Sequence, residues 1–132
     1  MKKDIEIPIV KDIHVALILE WNDEFKNNEW NAYLLNDGPT RIDLVFVVSK
    51  GYHKDIKTAT MRHSMEALES KSFQKIEFVQ DEVLKLNNEF FVTYYLEGVL
   101  FEKRFLFKKD SVRKEALTQI PLLHQRGILA TD

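Results

Sequence analysis

Apolar residues recur at every second position along much of this chain, and that rhythm constrains its fold more than any other feature. Ile13, Val15, Leu17 and Leu19 alternate with His14, Ala16, Ile18 and Glu20. A period of two puts one set of side chains on each face of a pleated strand, whereas a helix needs a period near 3.6. Ile5, Ile7 and Ile9 alternate too, and Pro8 marks that run as an edge strand because proline cannot donate to a ladder. Further strand patterns cover residues 30–35, 42–48, 73–79, 89–96 and 99–107.

The punctuation between these runs is equally informative. The polar stretch 22–28 reads as a loop. Asn36-Asp37-Gly38-Pro39 supplies residues that tolerate or preset turn geometry, which predicts a hairpin joining 30–35 to 42–48. Glu97-Gly98 predicts a tight hairpin whose aromatic residues pair across 89–96 and 99–107. Segment 57–68 fits two periods. Met61, Met65 and Leu68 make a helical stripe, but Ala59, Met61, Met65 and Ala67 alternate with Thr58, Thr60, Arg62, Ser64 and Glu66, and the threonines favour a strand. After Asp110-Ser111, the helical spacing of Val112, Ala116 and Ile120 predicts a short C-terminal helix ended by Pro121. The tail, apolar at Leu122, Leu123, Ile128 and Leu129, is expected to pack on the body.

Seven or eight strands with one late helix imply an all-β, antiparallel, immunoglobulin-like β-sandwich, with a small β-barrel as the alternative. The 132 residues suit a single domain spanning 1–132, long enough for a core without covalent staples. Trp30 is expected to face inward and fill the space that a disulfide occupies in antibody domains. The absence of cysteine excludes disulfides, thiolate metal sites and thiol catalysis. Met1-Lys2-Lys3-Asp4-Ile5-Glu6 lacks the apolar run of a secretory signal, and stretches such as 44–48 fall far short of the roughly 20 residues of a membrane helix. A cytoplasmic protein with no membrane partner is the expectation. With 19 Lys and Arg against 21 Asp and Glu, the net charge of −2 removes the broad electrostatic case for nucleic acid.

Candidate site residues are few. His14, His53, His63 and His124 are dispersed, with no metal-pair spacing, so no metal and no cofactor is expected. His63 falls on the apolar face of its strand and reads as a hydrogen-bonded boundary histidine. Thr58, Thr60, Arg62 and Ser64 would share the opposite face as three hydroxyls around a guanidinium, suited to a carboxylate or phosphate, with Tyr52 and His53 at its border. Ser64 and His63 do not form a nucleophile–base pair, since neighbouring strand residues point to opposite faces, and no catalytic residue is assigned. Val45 and Val47 make strand 42–48 apolar on both faces. With Tyr33 and Leu35 on the facing hairpin arm, they form a candidate interface for self-association or for a protein partner. Lys103, Arg104, Lys108, Lys109, Arg113 and Lys114 form a late basic run. Phe101, Lys103, Phe105 and Phe107 share one strand face, which assigns the rings to the core and Arg104 to solvent. No phosphate-binding glycine motif, nucleophile elbow or H-E-x-x-H motif is present.

At Trp30-Asn31-Ala32-Tyr33-Leu34-Leu35-Asn36, Val47-Val48-Ser49-Lys50-Gly51-Tyr52, Thr60-Met61-Arg62-His63-Ser64 and Leu86-Asn87-Asn88-Glu89-Phe90, the chain resembles a family of small uncharacterised bacterial β proteins. Some members of that family carry the label phenylalanyl-tRNA synthetase alpha subunit. The label implies a class II synthetase core that binds ATP, Mg²⁺, phenylalanine and tRNA, or an accessory role beside such an enzyme. The chain is much shorter than that catalytic domain, and Phe101-Glu102-Lys103-Arg104 departs from the Phe-Arg-x-Glu pattern, so no synthetase residue is carried over.

Overall fold

A computed structural model describes residues 8–131. Ten antiparallel strands occur in it: β1 (Ile13–Asn22), β2 (Asn27–Asn36), β3 (Ile42–His53), β4 (Ile56–Lys57), β5 (Met61–Leu68), β6 (Ser72–Val79), β7 (Asn87–Leu96), β8 (Val99–Phe107), β9 (Thr118–Gln119) and β10 (Arg126–Leu129). Sheet A has the order β6-β2-β1-β10-β9; sheet B runs β4-β3-β7-β8, with β5 also paired to β3. The molecule is an all-β, two-sheet structure that does not close into a barrel, so the barrel alternative is set aside. Ile5 and Ile7 of the expected first strand lie outside the described residues, and Pro8 and Ile9 are not in a strand.

Local chemistry explains the hairpins. The Asn22 side-chain carbonyl accepts the backbone N–H groups of Glu24 (2.9 Å) and Phe25 (3.1 Å), folding β1 back onto β2. Glu97 (φ 49°) and Gly98 (φ 81°) both sit in the left-handed region, which a two-residue turn matched to strand twist requires. Segment 57–68 resolves as the last residue of β4, an irregular connection over 58–60 and then β5, not a helix.

Between the sheets, Ile13, Val15 and Leu17 of β1 and Trp30, Ala32 and Leu34 of β2 meet Ile42, Val45 and Val47 of β3 and Phe90, Val92 and Tyr94 of β7. Phe105 and Phe107 of β8 join this core, as their spacing implies, and Phe90 meets Phe107 edge-on at 5.8 Å. A second, smaller cluster lies on the outer face of sheet A. There Ala16, Ile18 and Leu35 are roofed by Ile120, Leu122 and Leu123 of the C-terminal segment.

Three expectations need correction. Residues 36–39 do not make a hairpin: β2 belongs to sheet A and β3 to sheet B, so the connection crosses the sandwich. The Asn36 amide donates to the carbonyls of Thr40 (3.0 Å), Leu68 (3.0 Å) and Glu69 (3.1 Å), holding the crossing in place. Stacking buries the apolar faces of both strands at once, which lateral pairing would not. In place of the C-terminal helix there is a three-residue 3-10 turn, Lys114–Ala116, followed by β9. Pro121 disfavours helix at Ile120, and the fully buried Ile120 side chain gains more by roofing sheet A. Finally, Val45 and Val47 are not on an outer surface; each is 0 % exposed. The cause is a bulge: β3 shifts register against β7 between Asp43 and Phe46, and Leu44 has φ 49°. One extra residue inverts the facing of everything after it, so Ile42 and Val45 both point inward although three apart.

Candidate functional site

The bulge decides which residues sheet B shows to solvent. Leu44 and Phe46, 53 % and 52 % exposed, occupy the outer face in place of the two valines. Cross-strand register builds that face in rows. Arg62, Val48, Phe91 and Arg104 form one row, and Ser64, Phe46, Thr93 and Glu102 the next. On one side of these lies a row of Lys50, Glu89 and Leu106; on the other, Asp43, Tyr95 and Leu100. Tyr95 and Leu100 are exposed as well. Leu44, Phe46, Val48, Phe91, Tyr95 and Leu100 thus make a continuous apolar surface on β3, β7 and β8, bordered by Arg62, Arg104, Glu102, Lys50, Glu89 and Asp43.

Among the remaining expected interface residues, Leu35 is fully buried under the C-terminal segment, and Tyr33 is half-buried on the outer face of sheet A. The Tyr33 hydroxyl donates to Glu20 Oε1 (2.8 Å), which also accepts from Asn31 Nδ2 (2.8 Å). Burial, with help from the Glu20 carboxylate, pushes the Tyr33 hydroxyl up to about 12. Alternation identified a strand with two apolar faces; it could not show which face the bulge turns outward.

The expected anion group divides. Arg62 and Ser64 lie on the outer face of sheet B, three strands apart from Arg104, and Arg62 makes no hydrogen bond or ion pair among the described residues. Thr58 and Thr60 belong to the irregular connection between β4 and β5, where Thr58 Oγ1 accepts the Gly51 N–H (2.8 Å). Together with Tyr52, these threonines line a hollow of about 410 Å³ beside Lys50, Lys57, Glu89 and Arg104. Arg62, Ser64 and His53 are not part of that lining. Glu89 faces Lys50 (3.8 Å) and Arg104 (3.6 Å), so much of the positive charge there is already answered.

His63 points the other way. Its Nε2 lies 2.7 Å from Glu77 Oε1, and the same oxygen accepts from the Ser49 hydroxyl (2.8 Å). This cluster ties β3 and β5 of sheet B to β6 of sheet A. The serine is bonded to the carboxylate and not to the imidazole, so the trio lacks the nucleophile-to-base contact of a hydrolase. A cavity of about 710 Å³ opens at the end of the sandwich where the 36–42 connection and the β7–β8 hairpin meet. Tyr94 lines it, and burial raises its hydroxyl to about 12. No group of three or more His, Cys, Asp or Glu among the described residues could hold a metal ion.

The basic run also splits. Lys103 lies on the inner side of β8 with Nζ 5.1 Å from the Phe105 ring centroid, Arg104 faces outward to Glu89, and Lys109 pairs with Asp110 (3.7 Å). No helix among the described residues is long and apolar enough to cross a membrane. Comparison with known proteins finds no matching family model, no matching curated protein and no matching solved structure.

Proposed function

We propose that this protein is an immunoglobulin-like binding domain that works by contact and not by catalysis, using the outer face of sheet B to engage another protein surface. The observation that carries this reading is the continuous outer surface made by the exposed Leu44, Phe46, Tyr95 and Leu100 with the half-buried Val48 and Phe91. A contiguous apolar patch with a charged border is the usual mark of a protein-binding surface. Strand order supports the immunoglobulin-like assignment: β1-β2-β6 and β5-β3-β7-β8 correspond to the A-B-E and C′-C-F-G neighbours of such sandwiches.

The bulge that shapes this surface has a backbone cost. Leucine at φ 49° occupies the left-handed region at a penalty of about 1–2 kcal/mol, which glycine would avoid. That backbone turns Val45 and Val47 into the core, while the leucine side chain itself stays on the outer face beside Phe46.

The test places a photo-crosslinking residue at position 46, and a control at Lys75 on the exposed edge strand β6, in cells that express the protein. Position 46 should yield a discrete adduct that excess unlabelled protein competes away, whereas a Leu44→Lys/Phe46→Lys competitor should not. Equal labelling at both positions, or equal competition by both proteins, refutes the assignment.

A further inference from the structure

We infer that the surface engaged by this face is the same face of a second copy, in an antiparallel two-fold pairing. The inference rests on the reading of sheet B given above and adds the identity and orientation of the partner.

Charge along the strands carries it. At the end of the face near Lys50 stand Lys50, Arg62 and Arg104, with Glu89 the one carboxylate among them. At the other end stand Asp43, Glu66 and Glu102, with Arg41 the one cation, bonded to Asp43 at 2.9 Å. Val48, Phe46 and Phe91 lie between. The face is therefore a dipole with an apolar middle. Arg62, Glu66 and Glu102 make no ion pair or hydrogen bond among the described residues, so these charges remain available.

Two copies of one sheet face can meet about a two-fold axis in the plane of contact. An axis along the strands stacks cation on cation and carboxylate on carboxylate, and like charges brought together are strongly disfavoured. An axis across the strands, between the Val48 row and the Phe46 row, reverses one copy. Phe46 then lies over Val48 of the second copy, Arg104 over its Glu102, and Arg62 over its Ser64, one step from its Glu66. Strand spacing and rise give the patch dimensions of about 19 Å by 27 Å, roughly 500 Å² in projection. That lies toward the small end of specific interfaces and implies a reversible dimer, not an obligate one.

Sedimentation velocity from micromolar to about millimolar concentration tests this, using the full chain at low salt. The wild type should dimerise in the upper part of that range. Arg104→Glu and Glu102→Arg should each weaken the dimer about tenfold, because each sets like charges against each other across the axis. An equimolar mixture of these two variants should recover the wild-type affinity as a heterodimer, as should the double variant with itself. A wild type that stays monomeric throughout overturns the second copy as partner, and the crosslinking experiment then judges the face separately. A dimer that Phe46→Lys dissolves but single charge reversals leave unchanged overturns the antiparallel pairing alone. A dimer that Phe46→Lys leaves intact overturns both readings.

Discussion

Replacing Val47 and Phe46 one at a time by alanine tests the phase of β3, on which the position of the proposed binding face depends. Val47 is fully buried and Phe46 half exposed. Val47→Ala removes two methyl groups, worth about 1.6 kcal/mol at roughly 0.8 kcal/mol per buried carbon. It also leaves a void of about 50 Å³, which adds about 1 kcal/mol at roughly 24 cal/mol per Å³. The expected loss is thus about 2.5 kcal/mol. With an unfolding entropy of roughly 2.1 cal/mol/K per residue, a chain of this length should melt about 9 °C lower. Phe46→Ala strips an exposed ring from the outer face and should change stability by less than about 1 kcal/mol. Differential scanning calorimetry at a few micromolar, where a weak dimer is dissociated, separates the two. If Phe46→Ala lowers the melting temperature as much as Val47→Ala, the bulge does not invert the strand, and the outer face described here is wrong.

Leu44→Gly should stabilise the isolated chain by up to about 1 kcal/mol by releasing the left-handed leucine, while weakening association. Leu44→Ala should weaken association without that gain, and equal stability of the two variants in calorimetry would refute the strain. A Cβ on Gly127 would press on the Leu17 carbonyl oxygen and lie 2.7 Å from Ile18 Cδ1, so Gly127→Ala should cost about 1–3 kcal/mol. Hydrogen exchange should then rise first across residues 126–129, and unchanged protection would contradict the close approach of β10 to β1. Tyr33 and Tyr94 are raised to about 12 in the folded protein, from about 10 unfolded. Between those values the unfolded chain has shed protons that the folded one retains, so stability is full below pH 10 and falls as pH climbs toward 12. Tyr94→Phe should flatten that decline in urea titrations across the window; an unchanged slope would count against the burial of its hydroxyl.

How much of this could be read beforehand varies with how local the cause is. The alternation of β1, the Glu97-Gly98 turn and the inward rings of β8 depend on neighbours in sequence, and each was legible. The crossing at 37–41 was not, because a turn-rich segment looks the same whether it joins strands side by side or across a sandwich. The choice is made by Leu68 and Glu69, whose carbonyls hold Asn36 from more than thirty residues away. The bulge was illegible for a different reason. Leucine is a poor predictor of left-handed backbone, and no glycine or asparagine flagged position 44. A single such residue reversed the facing of Val45, Phe46 and Val47, so the side chains expected on the outer surface of that strand are buried and Leu44 and Phe46 stand there instead.

Both sheets contain a strand that is apolar on its two faces: β1 with Ala16 and Ile18 turned outward, β3 with Phe46 and Val48. They meet that problem differently. Over β1 the chain supplies its own cover, since Ile120, Leu122 and Leu123 fold across the outer side of sheet A. No segment is described over the outer side of β3: the C-terminal segment roofs sheet A and pairs with sheet B at the edge strand β8, where Thr131 meets Leu106. The outward apolar residues of β1 are therefore covered, whereas Leu44 and Phe46 of β3 stay open. A chain that needed only solubility could carry polar side chains in place of the exposed leucine and the neighbouring phenylalanine without harm to the core. Phe46 lies with Val48 and Phe91 between the basic and acidic ends of that face, which is the arrangement the proposed pairing requires.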